Sequence, residues 1–416
     1  MSTEKRFESD NGNIDNGNRD NDEDTYDTSF EITSFDELEG LVDNTILRGI
    51  YSYGFEKPSP IQRKAIKPLL DGRDTIAQAQ SGTGKTATFS IGILSKIDLT
   101  DNSTQALVLS PTKELSSQTA KVLTSLGSMM DGLRVQTLFG GSAVDDYSGF
   151  LKKSLPHIIC GCPGRVFDMM RRGNISGNKI KIVVLDEADE MLSQGFKEQV
   201  YDIFQHFNNN IQVGLFSATL SEQIQPIIKK MMRNPVKITM KAEMLTLEGI
   251  SQFFVAVEDD RQKYLILKDT FSAISVSQCI IYCNSVKRVA DLFEAMREDG
   301  FPVCCIHSNM DSRDRDAAFT EFKTGSSRVL ISSNVTARGI DIQQVSTVIN
   351  FDIPKDTHTY LHRIGRSGRW GRKGVGINFI TRRDVPKLKE IEQYYACEIN
   401  EMPSNFDYAQ KETTTK

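Results

Sequence analysis

Apolar and polar positions fall into a repeating texture from Ser34 onward. Short aliphatic runs bounded by turn residues occur at 74–79, 105–110, 157–160, 180–185 and 211–216, with helical stretches such as 86–97 and 113–126 between them. Strand alternating with helix predicts a parallel sheet covered by helices on both faces. The texture then recurs. After Pro235 and a hydrophilic stretch at 241–249, buried strands are predicted at 278–283, 303–306, 328–332, 347–351 and 375–380. The fold class is therefore α/β, with two parallel sheets in tandem. Four segments are expected: a disordered acidic tail (1–33), a first domain (34–240), a short linker (241–250) and a second domain (251–416). Ligands of open α/β sheets bind outside the carboxyl ends of the strands, so the chemistry is expected in the cleft between the halves.

Composition narrows the class. Of 416 residues, 39% are hydrophobic and 25% charged, the balance of a soluble globular chain. No apolar run approaches the roughly 20 residues that a membrane-spanning helix needs. The first residues have no apolar core and do not resemble a secretory signal, so an intracellular protein is expected. The seven cysteines are an odd number, and Cys160, Cys162, Cys304 and Cys305 have no second ligand pair or histidine cluster beside them. They read as small core residues of a reduced protein. Net charge is −5, but it is unevenly placed: the first thirty residues are acidic, whereas 363–373 is densely basic. A local phosphate-binding groove is compatible with that asymmetry.

Two segments carry phosphate chemistry. The first runs from Ala79 to Thr86, follows an apolar strand and precedes a helix. Its Ser81, Gly82, Thr83 and Gly84 form a glycine-rich turn whose N–H groups can curl around phosphate oxygens at a helix N-terminus. Lys85 can reach the β and γ phosphates, and the Thr86 hydroxyl can ligate Mg²⁺. Where the general pattern begins with glycine, this chain has Ala79. The second segment is the aliphatic strand 182–185 ending in Asp186, Glu187, Ala188 and Asp189. Asp186 is placed to hold Mg²⁺ and Glu187 to orient and deprotonate an attacking water. Together they predict nucleoside triphosphate hydrolysis, with Mg²⁺ as cofactor. A guanine-reading Asn/Thr-Lys-x-Asp motif is absent from the sequence.

Asp186-Glu-Ala-Asp189, Ser217-Ala-Thr219 and the run His362 to Arg369 together resemble the DEAD-box RNA helicases, from about Phe35 to Met402. Within that family the segments GFEKPSPIQ, SGTGKT, GFKEQ and TLEGI are similar to the translation initiation factor four-A group, with its exon-junction and ribosome-biogenesis paralogues. The resemblance implies two RecA-like domains, each a parallel sheet with helices on both faces. It also implies that ATP is the nucleotide. The segment containing Phe55, Lys57 and Gln62 is similar to the adenine-reading motif. Gln62 can pair with adenine N7 and the 6-amino group. Phe35 is either an aromatic that stacks on the base or a core residue.

The same resemblance implies that Arg366 and Arg369 act as arginine fingers, in such systems worth about 10³–10⁵ in rate. Asp341 would hold the ribose, and Gly339 would join the nucleotide-binding residues. Asp189, Ser217, Thr219, His362 and Arg363 would couple hydrolysis to unwinding, the last two by bracing the carboxylate and Ser-Ala-Thr motifs. RNA contacts fall to Pro111, Thr112, Lys113, Gly140, Gly141, Gly164 and Arg165 in the first domain, and to Asn284, Ser333 and Arg338 in the second. No aromatic ladder for bases accompanies them, so binding of single-stranded or short duplex RNA is expected to follow the backbone, largely independent of sequence.

Six positions on the RNA side or in the second domain depart from the family pattern. Lys113 stands for Arg, Cys162 for Thr, and Ser308-Asn309 for Gly-Asp. Asn334 stands for Asp, and Ser312 for Gln, with Arg315 retained. An intact ATP site with weakened RNA coupling is the expectation. Local unwinding in translation initiation is the first functional reading, by a monomer with protein activators that bridge its domains. An ATP-gated RNA clamp in ribosome biogenesis or splicing is the alternative. A cytoplasmic site is favoured over a nuclear or nucleolar one.

Overall fold

The aliphatic runs become the inner strands of two sheets because a parallel strand buried on both faces needs apolar residues in succession. The computed structural model describes residues 30–79, 82–140, 149, 154–193, 195–208, 210–220, 225–240, 250–273, 278–334, 345–367 and 374–403. The chain divides into two compact units, Met1–Met240 and Lys241–Lys416.

In the first unit the strands are β1 (Thr75–Gln78), β2 (Ala106–Leu109), β3 (Val135–Leu138), β4 (Ile158–Gly161), β5 (Ile182–Asp186), β6 (Gln212–Ser217) and β7 (Val236–Thr239). They lie in the order β3-β4-β2-β5-β6-β1-β7, each described pair parallel. Successive residues alternate between two core layers. Ala77, Val108, Cys160 and Val184 join one, and Ile76, Leu107, Ile159 and Val183 the other. That division is the period-two geometry of a strand with helices on either side.

The second unit contains β8 (Ile250–Ala256), β9 (Cys279–Tyr282), β10 (Val303–Ile306), β11 (Val329–Ser332), β12 (Thr347–Asn350), β13 (Gly374–Ile380) and β14 (Asn400–Glu401). Their order, β10-β11-β9-β12-β13-β8-β14, repeats that of the first sheet when each unit's strands are counted from its own first one. All described pairs are again parallel. The tandem expectation therefore extends to topology.

The strands expected from the aliphatic runs form within a residue or two of their predicted limits, and the helix Lys113–Leu126 spans the predicted residues. The helix expected at 86–97 forms as Lys85–Leu94. Among the described residues, four strands had no counterpart among the predicted runs: β3, β7, β8 and β14. The first three carry polar residues, and β14 has two residues. The expected tail, 1–33, is corrected at its end. Ile32 is fully buried in the first core, its N–H donates to Arg63 O at 3.0 Å, and Glu31 pairs with Lys64. One aliphatic residue in a polar stretch suffices to dock it. Residues 1–29 and the expected linker residues 241–249 lie outside the described residues.

Candidate active site

Strand register brings the first unit's chemistry to one edge. Gln78 at the end of β1 pairs with Ser217 at the end of β6, and Phe216 pairs with Asp186 at the end of β5. The glycine turn, the carboxylate motif and the Ser-Ala-Thr turn therefore leave neighbouring strand ends, with β6 between the other two.

After β1 the chain turns through Gly82 (φ 85°) and Gly84 (φ 100°) into the helix Lys85–Leu94. A Cβ on Gly84 would stand 2.8 Å from Gln62 Nε2 and 2.9 Å from Ser59 Oγ. The turn is thus packed directly against the adenine-reading segment, and only glycine meets both demands. Lys85 is buried, and its Nζ makes no hydrogen bond among the described residues; Glu187 Oε1 lies 3.5 Å away. Thr86 is half-buried, whereas Ser81 lies outside the described residues. An ammonium in that setting calls for anionic oxygens.

Asp186 and Glu187 are both 2% exposed. Burial, and then the charge of Glu187, push the Asp186 carboxyl up, to about 7. Asp186 Oδ1 accepts from Glu187 N at 3.1 Å, and Glu187 adopts the left-handed backbone region at φ 51°. A non-glycine residue there costs about 1–3 kcal/mol, a cost borne at functional sites. Two buried carboxyls beside one lysine and an available Thr86 hydroxyl suit a divalent cation, which would relieve the repulsion between them.

Asp189 is tied to the turn after β6. Thr219 Oγ1 donates to Asp189 Oδ2 at 2.7 Å, Asp189 N donates to Ser217 Oγ at 3.2 Å, and Ser217 Oγ donates to Thr219 O at 2.7 Å.

The base-reading residues are placed unequally. Gln62 is 2% exposed, and its Oε1 accepts from Ser59 N at 2.7 Å. Phe35 is completely buried in the first core. Of its two readings the structure fits the core one, since no ring face is open to a base. Phe55 is half-exposed, 4.9 Å from the Tyr53 ring, and Lys57 is exposed.

Two of the first unit's RNA-candidate turns, those after β2 and β4, lie side by side. Pro111 is buried, and Thr112 caps the helix Lys113–Leu126 by accepting from Leu115 N at 3.3 Å. Lys113 Nζ lies 3.8 Å from Glu114. Cys162 precedes the helix Pro163–Arg171, and its Sγ is 3.9 Å from Ser116 Oγ, so the two turns touch. Burial pushes its thiol up to about 11. Gly140 and Gly164 are exposed and Arg165 half-buried; Gly141 lies outside the described residues.

In the second unit Arg363 is wholly buried within the helix Thr357–Ile364. Its five N–H groups meet Asn334 Oδ1 twice (3.0 and 2.6 Å), Asn284 Oδ1 (2.8 Å), Asn350 Oδ1 (3.1 Å) and Asp352 O (2.8 Å). The brace expected from Arg363 to the carboxylate and Ser-Ala-Thr motifs is therefore corrected: its donors are taken within its own unit. Asn284 is similarly engaged, its Nδ2 donating to Ile353 O at 2.8 Å, so its side chain serves this hub. Asn350 and Asp352 are hub residues that motif reading missed. A polar Asn directly after Val348 and Ile349 was the available signal.

Arg366 and His362 are buried, and Arg366 Nε donates to His362 O at 3.0 Å. Ser333 is half-buried, its N–H donating to Ile306 O at 3.3 Å. Ser308 and Asn309 are exposed, and Arg315 donates to Met310 O through Nε and Nη2. The expected contacts of Arg338, Gly339, Asp341 and Arg369 lie outside the described residues.

Comparison with known proteins agrees with this architecture. Residues 59–227 match the DEAD/DEAH box helicase family, and residues 262–371 match the helicase conserved C-terminal domain. Eukaryotic initiation factor 4A of Caenorhabditis elegans is 49% identical over 374 residues, covering 90% of this chain and 92% of that protein. Saccharomyces cerevisiae Dbp5 bound to RNA and ADP BeF3 superposes with a TM-score of 0.83 at 36% identity, covering 89% of this chain and 96% of that one. A variant of Dbp5 bound to Gle1 and IP6 gives a TM-score of 0.75 at 35% identity, covering 90% and 96%. The chain belongs to the DEAD-box ATP-dependent RNA helicases, in the family of eukaryotic initiation factor 4A.

Proposed function

We propose that the protein binds ATP together with single-stranded RNA, hydrolyses ATP in response to the RNA, and locally separates short duplexes in the 5′ region of messenger RNA during translation initiation. One observation carries the reading: the buried Lys85 ammonium without a hydrogen bond, set 3.5 Å from Glu187 where the glycine turn enters its helix. A triphosphate supplies the anionic oxygens that this ammonium calls for.

In this reading Gly82, Thr83 and Gly84 cradle phosphate oxygens, while Gln62 and Phe55 meet the base. Glu187 orients the attacking water and accepts its proton. Thr86 and Asp186 would hold Mg²⁺, which when bound neutralises phosphate charge. Arg366 and Arg369 supply positive charge to the transition state. Asp189, Ser217 and Thr219 carry the state of the nucleotide site to the RNA-binding turns. Those turns follow the sugar-phosphate backbone, so the substrate is RNA of broad sequence.

The initiation role rests on likeness to initiation factor 4A. Dbp5 bound to Gle1 is the precedent for a protein partner that binds such an enzyme. We place the protein in the cytoplasm as a monomer on the ground of the translation role.

The deciding measurement is the ATPase rate with and without single-stranded RNA, for the wild type and Glu187→Gln. RNA-stimulated hydrolysis that falls by about 10²–10⁴-fold in the variant is expected. Wild-type hydrolysis indifferent to RNA would overturn the reading.

A further inference from the structure

The hub around Arg363 holds a buried charge with no carboxylate hydrogen-bonded to it. Each of its five N–H groups is satisfied, and each acceptor is a neutral oxygen of Asn284, Asn334, Asn350 or the Asp352 main chain. The Asp352 carboxylate is already engaged by Arg288 at 2.8 Å, Lys263 at 3.4 Å and Asn284 N at 3.0 Å, and Lys263 also pairs with Asp260. Among the described residues, Lys263 and Arg288 thus share the Asp352 and Asp260 carboxylates, while Arg363 feels Asp352 and Asp356 only through space, without a hydrogen bond to either carboxylate. Interior charge of this kind is screened weakly and is felt at the nearby surface.

Asn334 is where that charge reaches the surface. It lies two residues beyond β11, beside Ser333, and is exposed although the guanidinium beneath it is wholly buried. A guanidinium offers donors only, so it fixes the Asn334 amide with Oδ1 inward. Nδ2 is then turned outward, and no partner for it occurs among the described residues.

We propose that Asn334 is an RNA-contacting residue of this protein, its Nδ2 donating to a backbone phosphate oxygen held over the buried Arg363 charge. The inference rests on the RNA-binding reading above and reverses the expectation that an Asn here weakens RNA engagement. An aspartate in its place would pair with Arg363, neutralise the local field and present lone pairs to the phosphate. The amide leaves the guanidinium without a directly paired carboxylate and offers a donor.

The test uses the full chain as wild type, Asn334→Asp and Asn334→Ala. Binding of a fluorescent oligouridylate is followed by anisotropy with Mg²⁺ and a non-hydrolysable ATP analogue across a salt series. Asn334→Ala should weaken binding about 3–10-fold with an unchanged salt slope, since one neutral group replaces another. Asn334→Asp should weaken it further, with a log–log slope shallower by about 0.7, the contribution of one phosphate on a single strand. Thermal melting should show Asn334→Asp folded, because the carboxylate still satisfies Arg363. Nucleotide affinity without RNA should be unchanged in both variants. Asn334→Asp binding RNA as tightly as the wild type would overturn this inference alone, as would a loss confined to nucleotide affinity, which would move the contact to the nucleotide's phosphates. A wild type that does not bind RNA would overturn the functional reading with it.

Discussion

Thr219 Oγ1 donates a 2.7 Å hydrogen bond to Asp189 Oδ2 across thirty residues of sequence, with both side chains buried. Ser217 closes the link by accepting from Asp189 N and donating to Thr219 O. The turn after β6 and the carboxylate motif after β5 are consequently one hydrogen-bonded body. A shift at Glu187, two residues from Asp189, is felt at Thr219 without passing through solvent. Charge-assisted bonds of this kind are roughly twice as strong as neutral ones, which suits a part that transmits a change of state.

Thr219→Val keeps the shape of the side chain and removes the donor. Asp189 then loses a buried partner, and stability should fall by about 1–3 kcal/mol, read by denaturant unfolding. Nucleotide affinity should stay near the wild-type value while duplex release falls at least about tenfold, the effect of losing roughly 1.4 kcal/mol of coupling. Equal loss of nucleotide binding and duplex release would show the bond to be structural only.

Gly84 answers to two constraints at once: a φ of 100° and a Cβ position 2.8 Å from Gln62 Nε2. Gly84→Ala should therefore displace Gln62 as well as strain the turn. A loss of about 1–3 kcal/mol in stability is expected, with ATP affinity at least about tenfold weaker, a difference of about 1.4 kcal/mol. Gly132, at φ 83° with nothing within 4 Å of its Cβ position, is the control. Gly132→Ala should lower the melting temperature and leave ATP binding intact.

His157 should make stability fall in mild acid. Burial, and then the Arg134 guanidinium, hold its imidazole below the ordinary value of 6.5. Arg134 N donates to His157 Nδ1 at 3.2 Å, and Arg134 Nη2 is 3.1 Å from Nε2, so an added proton meets a cation. The unfolded chain takes up the proton first. The stabilisation is thus whole above about pH 6.5 and is lost as pH falls through the lower folded value. Melting temperature followed from pH 7.5 to 5 should decline more steeply for the wild type than for His157→Gln. Parallel curves would remove His157 as the cause.

How much of this was legible in the chain varied with the range of the interaction. Inner strands such as β2 and β5 were visible because burial on both faces demands an unbroken aliphatic run. The glycine turn was visible because a phosphate cradle before a helix needs glycine, lysine and a hydroxyl in fixed succession. The edge strands β3 and β7 were not, since one side of each lies at the sheet margin and tolerates Gln136, Thr137 and Lys237. Neither Phe35 nor Phe55 could be chosen from spacing, because whether a ring faces a core or a pocket depends on what packs over it. The partners of Arg363 lie 11 to 79 residues away in sequence and meet only where the ends of β9, β11 and β12 converge. Local composition therefore sufficed for the inner aliphatic strands and the phosphate turn, whose requirements are met by neighbouring residues. Strand order, the Asp189–Thr219 link and the fate of a buried guanidinium were decided by folding, which alone brings distant acceptors within hydrogen-bonding reach of a donor that cannot stay buried without them.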